Sequence, residues 1–258
     1  MKFLYRKILT QLLLILFFGS CVSRKEIVYM TDVDANKPVF STSIEPILEP
    51  NDMLSIVVAA ENPELTIPFN MPQIQSPTYD INKGQSGIKT YLVDHLGFID
   101  YPVLGKIKLG GLQKSDANKV LVDKISDYIK NPSVNLSIAN FKVTILGEVA
   151  KPGEILVKSE RITFLEAIGQ AGDLTLFGRR DNILLIREEN GKKTYNRINL
   201  LNSQFINSDF YYLKQNDLIY VEPNKTKVNG SKIGASTNLI LSITSILLTI
   251  SFFIINKK

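Results

Sequence analysis

A chain of 258 residues with 30 Lys and Arg against 25 Asp and Glu carries a formal net charge of +5. Lys2, Arg6 and Lys7 at one end and Lys257 and Lys258 at the other supply that whole excess, so residues 8–256 are formally neutral and the charge gives no reason to expect nucleic-acid binding. A single cysteine and a single histidine exclude a disulfide framework and the Cys/His clusters of a zinc site.

Residues 1–20 read as a bacterial secretory signal peptide. Basic residues come first, an apolar stretch follows over 8–18, and the small residues Gly19 and Ser20 close it. Cys21, directly after them, resembles the lipobox of bacterial lipoproteins, in which the thiol is lipidated and becomes the new N-terminus. Phe18 departs from the aliphatic residue usual there. The other reading is an uncleaved anchor with Cys21 as a bystander, although the apolar run is short against the ~20 residues of a membrane helix.

Residues 21–43 are polar and aperiodic and are expected to form a tether. An α+β unit is expected over 44–140. Pro50-Asn51-Asp52 signals a turn, and 53–59, with Leu54, Ile56, Val57 and Val58, a strand. Residues 61–90, rich in Pro, Asn, Gln, Ser and Gly, read as an extended loop. Tyr91-Leu92-Val93 is a short strand ending in the turn Asp94-His95-Leu96-Gly97, with 98–103 continuing beyond it. Ser115 is the expected N-cap of a helix over 116–129 that turns Val120, Leu121, Ile125, Tyr128 and Ile129 toward a core. Asn131-Pro132 stops it before an alternating strand over 133–138.

A second α+β unit is expected over 141–223. Val143, Ile145 and Val149 lead into the turn Lys151-Pro152-Gly153, and 155–157 returns as the paired strand. Thr163-Phe164-Leu165-Glu166 is a capping box, and Gly172 is a natural C-terminal stop for the helix that it opens. Strands over 182–187 and 193–200 are joined through Asn190-Gly191, a hairpin signal. A last strand, 218–221, follows Gln215-Asn216-Asp217. A hairpin, a crossing helix and further strands suggest a β-grasp arrangement.

After a linker at 224–236, residues 237–255 carry no charge and no proline. At ~1.5 Å per residue they give a helix of ~28 Å, near the ~30 Å of a bilayer core, and a C-terminal transmembrane helix is expected. Asn238, Ser242, Ser245 and Thr249 share one face of it. That face suits helix packing or a wet lumen; alternatively, the hydroxyls bond back to their own backbone in a plain anchor.

The run Asp94-His95-Leu96-Gly97-Phe98-Ile99-Asp100-Tyr101-Pro102-Val103-Leu104-Gly105 resembles the Asp-x-x-Gly-x-Ile-x-x-Pro-x-x-Gly signature of the polysaccharide biosynthesis/export domain, as does the following helix with Asn131-Pro132-Ser133-Val134. The second unit is similar to an SLBB domain (soluble ligand-binding β-grasp). It carries Gly147-Glu148-Val149, Pro152-Gly153, Thr163-Phe164-Leu165-Glu166-Ala167-Ile168 and Ala171-Gly172-Asp173-Leu174-Thr175, and closes on the run from Tyr211 to Pro223. The order of segments resembles the Wza-like outer-membrane exporters, in a Bacteroidetes-type form. Asn51 stands where that family has the glycine of Pro-Gly-Asp, and tolerates the left-handed conformation better than most residues. One SLBB unit stands where the best-known members have two, which implies a shorter periplasmic stack.

No catalytic residue, metal ligand or cofactor is expected. His95 lies in a turn away from any nucleophile, and Glu188-Glu189 read as a solvated hairpin end rather than a carboxylate pair across a sugar. Arg179 and Arg180, beside Asp181, read either as a solvated cluster or as a contact with another subunit or an acidic sugar chain. One apolar helix cannot enclose water, so conduction implies a homo-oligomeric ring, lipid-anchored in the outer membrane through Cys21 with its domains in the periplasm. The resemblance implies an oligomeric conduit for capsular polysaccharide or exopolysaccharide, with membrane lipid, the polysaccharide chain and an inner-membrane polysaccharide co-polymerase as partners. The other reading is a membrane-anchored periplasmic module that binds sugar or protein without a pore.

Overall fold

The structure is a computed structural model that describes residues 26–33, 45–70, 90–189, 191–232, 242–247 and 249–251. The signal peptide, Cys21 and Asn238 lie outside the described residues. In the first unit β1 (Met53–Ala59), β2 (Tyr91–Leu92), the hairpin β3 (Phe98–Tyr101) and β4 (Gly105–Lys108), α1 (Lys114–Ser126) and β5 (Ser133–Ile138) follow in chain order. β1 lies between β2 and β5, antiparallel to both. Alternation along β1 turns Leu54, Ile56 and Val58 inward onto Leu121 and Ile125 of α1.

The Asp-x-x-Gly signature has a direct physical reading here. Asp94 Oδ1 accepts from the amides of Leu96 and Phe98 at 2.9 and 2.8 Å, closing the turn. Gly97, at φ +85°, then lets its backbone touch that of Gly110, where a Cβ would lie 2.6 Å from the Gly97 Cα.

Three local expectations shift. Ser115 does not cap α1. The Lys114 amide is held by the Pro46 carbonyl at 3.1 Å, and the helix starts two residues earlier, at Lys114, behind Gln113, which makes no side-chain cap. The helix ends at Ser126, which leaves Tyr128 58% exposed and edge-on to Phe69. Within the expected loop 61–90, residues Pro63–Thr66 form a 3₁₀ turn, and the Asn70 side-chain amide grips both backbone groups of Val58 at 2.9 Å.

The second unit comprises β6 (Lys142–Gly147), β7 (Gly153–Leu156), α2 (Phe164–Gln170), β8 (Gly178–Glu189), β9 (Lys192–Ile198), β10 (Leu218–Pro223) and α3 (Lys225–Lys232). The strands form a 5-stranded sheet in the order β7-β6-β10-β8-β9, with β6 and β10 parallel and the other neighbours antiparallel. The capping box opens α2: the Thr163 hydroxyl accepts from the Glu166 amide at 3.2 Å and the Glu166 carboxylate from the Thr163 amide at 2.7 Å. Phe164, Ala167 and Ile168 then pack on Val143, Ile145, Ile183, Leu185 and Ile219 of the sheet. Each of these larger side chains contributes about 2–3 kcal/mol by leaving water.

The described part of the expected tether is docked on this second unit. Met30 and Thr31 donate to the carbonyls of Leu200 and Leu201 at 2.9 and 3.2 Å, and Asp32 accepts from the Ser203 amide at 2.8 Å. Tyr29 and Met30 pack against the core of the second unit. The stretch expected as a linker begins with α3.

The α+β content agrees with the sequence reading, but the expected C-terminal transmembrane helix does not stand. No helix among the described residues is long and apolar enough to cross a membrane. The helical turns described in that stretch are 242–247 and 249–251. Apolar composition does not by itself set the length of a helix, and among the described residues hydroxyls bond back to backbone carbonyls. The Ser245 hydroxyl donates to the Ser242 carbonyl and the Thr249 hydroxyl to the Ser245 carbonyl, each at 2.8 Å.

Candidate functional site

The two units meet at a polar joint built around Asn140 and Gln215. The Asn140 side chain accepts from the Met53 amide at 2.8 Å and donates to the Asn51 carbonyl at 3.0 Å. Gln215 donates to the Asn140 carbonyl at 2.9 Å and accepts from the Lys142 amide at 2.8 Å. The side chains thereby replace the backbone ladder where β5 and β6 leave their sheets. Asn51 takes the left-handed conformation, φ 73°, which points its carbonyl at this joint. Lys114 on α1 pairs with Glu160 of the second unit.

Two cavities flank the joint. One, of about 530 Å³, is floored by Met53, Ile138, Phe141 and Leu156 with Ser55 and Ser137 at its side. The other, of about 240 Å³, has Leu48, Phe141 and Tyr212 as apolar wall and Glu49, Arg161 and Lys214 as charged rim.

Asp52 is 1% exposed beside the joint. Its Oδ2 accepts from the Glu49 amide at 2.8 Å, while Oδ1 meets no donor at bonding geometry among the described residues. Burial pushes the Asp52 carboxyl up to about 6, and burial with the neighbouring Asp52 charge also raises Glu49. A carboxyl raised on folding keeps its proton longer in the folded chain. Its contribution to stability is therefore complete below about pH 4 and is lost as pH rises to about 6. Asp52→Asn keeps an acceptor for the Glu49 amide and removes this titration. Urea unfolding is expected to find the variant more stable than wild type by roughly 1–3 kcal/mol at pH 7.5 and equal to it near pH 4. Parallel pH profiles for the two proteins would show that Asp52 is ionised at no cost.

Arg187 and Asp217, 5% and 0% exposed, form a buried forked pair on the far side of the same joint: Nε to Oδ1 at 3.0 Å and Nη2 to Oδ2 at 2.7 Å. Arg187 also donates to the carbonyls of Asp209 and Tyr212, which fixes the loop that walls the smaller cavity.

The arginines singled out from sequence have separate environments. Arg180 is 5% exposed, donates to the carbonyls of Thr175 and Gly178 and, at the edge of bonding distance, Leu174, and lies under the Tyr29 ring. Arg179 is half-exposed, with Asp181 at 2.8 Å and Glu222 at 3.4 Å. Ser242, Ser245 and Thr249 lie in exposed helical turns. His95 is exposed in its turn. Among the described residues no group of His, Cys, Asp and Glu is placed to hold a metal ion. Among the described residues the arrangement centres on a hydrogen-bonded joint flanked by two cavities. Asn140, Gln215 and Asp52 were not singled out as site residues from sequence, because an isolated amide or a turn aspartate gives no periodic signal.

Residues 42–139 match the family model of the polysaccharide biosynthesis/export protein, and residues 142–196 match that of the SLBB domain. The chain is 29% identical over 196 residues to the EPS I polysaccharide export outer membrane protein EpsA of Ralstonia solanacearum. It is 30% identical over 197 residues to the protein of the same name from Ralstonia nicotianae. Each alignment covers 73% of this chain and 51% of the relative, so the chain spans about half the length of the curated relatives it matches. With the two models matching consecutive units on either side of the Asn140 joint, the chain belongs to the polysaccharide biosynthesis/export family and carries an SLBB domain.

Proposed function

We propose that the protein acts in the outer membrane as an oligomeric conduit for exopolysaccharide or capsular polysaccharide. The carrying observation is the export domain followed directly by an SLBB domain across a hydrogen-bonded joint, in a chain whose relatives are named as polysaccharide export proteins of the outer membrane. The two cavities described lie within one chain, beside its joint. The polymer path in this reading is built between copies, and closed cyclic symmetry is the economical way to make one. In this reading Cys21 carries the lipid, domains 44–140 and 141–223 stack in the periplasm, and the polysaccharide arrives from an inner-membrane co-polymerase. In the same reading Asn238, Ser242, Ser245, Thr249 and Arg179 contribute contacts between copies or with the sugar chain, while Arg180 holds the loop carbonyls of Thr175 and Gly178. The chain performs no catalysis.

The test uses cells that make a surface polysaccharide. Deleting the gene is expected to retain polymer inside the envelope, and cross-linking of isolated outer membranes to give a ladder ending at one closed size. A persistent monomer together with undiminished surface polymer would overturn the reading.

A further inference from the structure

We propose that the loop between α2 and β8 is a membrane-contacting wedge, in which Leu176 and Phe177 enter the lipid interface and Lys225 and Lys227 meet headgroup phosphates. Leu176 is 71% exposed and Phe177 40%, at the tip of an otherwise well-packed domain, and Val228 of α3 is 41% exposed. Water-facing apolar residues at a loop tip are ordinary singly, but here they adjoin one another and carry cations at their edge. Lys225 and Lys227 are exposed on α3, and the Lys227 ammonium lies 5.2 Å from the Phe177 ring centroid. Glu148, 3.8 Å from Lys227, is the nearby counter-charge, set back at 19% side-chain exposure. An apolar tip rimmed by lysines is the chemistry of a lipid interface: rings and leucines sit at the acyl boundary while lysines stay at the anionic headgroups.

The path of the chain gives the occupant. The N-terminal strap and the start of α3 both attach at this loop. The N-terminal strap arrives there, with the Tyr29 hydroxyl donating to Asp173 and its ring over Arg180, whose guanidinium binds the loop carbonyls of Thr175 and Gly178. Glu26, where the described strap begins, is five residues from Cys21; at most ~3.5 Å per residue, that is a reach of about 18 Å. At the other side the Asn224 amide donates to the Phe177 carbonyl at 2.7 Å, and α3 then carries the chain toward its uncharged C-terminal stretch, 237–255. This exposed apolar loop, to which the strap and α3 both lead, is thus held where a bilayer surface is within reach. The arginine-bound loop and its strap form a rigid mount, so contact requires no refolding.

This inference rests on the membrane-anchored reading above, and the experiment separates the two. The chain contains no tryptophan, so a substitution supplies a sole reporter. Full-length Phe177→Trp, Leu176→Trp and, as control, Tyr128→Trp in the first unit are reconstituted into phosphatidylethanolamine–phosphatidylglycerol vesicles with brominated acyl chains. Position 128 is 58% exposed and makes a fair comparison. Quenching at 177 or 176 is expected to exceed that at 128 at least threefold, with a blue-shifted emission, and to fall by half or more when Lys225→Glu and Lys227→Glu are added. Vesicle flotation with equal, weak quenching at all positions would overturn the wedge and leave the anchored reading intact. A blue shift at 177 without bromine quenching would mean that protein covers the loop, and would equally overturn it. Failure of the wild-type chain to float with vesicles would remove both.

Discussion

Gly147→Ala is expected to unfold the second domain. Gly147 ends β6 at φ +92°, opposite Val221 in the parallel β6–β10 pair. A Cβ there would lie 2.0 Å from the Val221 carbonyl oxygen and 2.9 Å from its carbonyl carbon. Those atoms are backbone and cannot swing aside. The Glu148 amide donates to that same Val221 oxygen at 3.0 Å, so relief by moving the strand also breaks the pairing at the centre of the sheet. The left-handed conformation adds about 1–3 kcal/mol of strain for any residue with a side chain. The total is expected to exceed about 4 kcal/mol, a large part of the 5–15 kcal/mol that holds a typical domain. Chemical denaturation should show loss of the native baseline, and envelope fractions should show depleted protein. Gly191→Ala is the control, because nothing lies within 4 Å of its Cβ position despite its similar φ of +73°. Equal stability of wild type and Gly147→Ala would mean that β10 is not paired where the structure puts it.

Arg187→Met is expected to destabilise by about 3–5 kcal/mol, because it leaves the Asp217 carboxylate buried without its counter-ion. Asp217 is 0% exposed, and besides Arg187 it accepts from the Lys214 amide at 2.8 Å. The loss reaches the joint, since Asp209 and Tyr212 are tied to the same guanidinium and Gln215 follows Lys214 in the chain. Arg187→Lys supplies charge without the fork and is expected to recover only part of the loss. The double variant Arg187→Met, Asp217→Leu removes both charges and is expected to be more stable than Arg187→Met alone. Urea titration of wild type, Arg187→Met, Asp217→Leu and the double variant forms the cycle. Additive losses in the double variant would show that the two groups do not interact.

The legible parts of this chain were those whose signals are local. The capping box at Thr163 and Glu166 is a reciprocal pair of hydrogen bonds within one turn, and it formed as read. The alternation of Leu54, Ile56 and Val58 defines one face of a strand whatever its partners. Asn51 holds a positive φ in place of the family glycine because its short side chain tolerates that basin. The two family motifs were legible for the same reason: Asp94 and Gly97 make a turn with their own neighbours.

The misread parts were governed by contacts distant in sequence. The start of α1 depends on Pro46, which takes the Lys114 amide and overrides the capping preference of Ser115. The strap 26–33 carries a polar composition that reads as tether, yet Tyr29 and Asp32 find Asp173 and Ser203 far along the chain. The 237–255 run was read as a membrane-crossing helix from its length and its lack of charge and proline, yet no helix among the described residues is long and apolar enough to cross a membrane. Arg179 and Arg180 are neighbours in sequence, but strand alternation sends one to the rim and the other beneath Tyr29.

Turn chemistry, strand alternation and the Asp94–Gly105 and Gly147–Thr175 motifs were therefore enough to read two α+β units and an export-family membership from residues alone. The joint at Asn140 and Gln215, the elevated Asp52 carboxyl, the forked Arg187–Asp217 pair and the meeting of strap, loop and α3 at Leu176 and Phe177 required the fold. Each is a pairing of single polar or apolar groups separated by tens of residues, and such pairings leave no periodicity: burial and hydrogen-bond geometry, which select them, exist only once the chain has closed on itself.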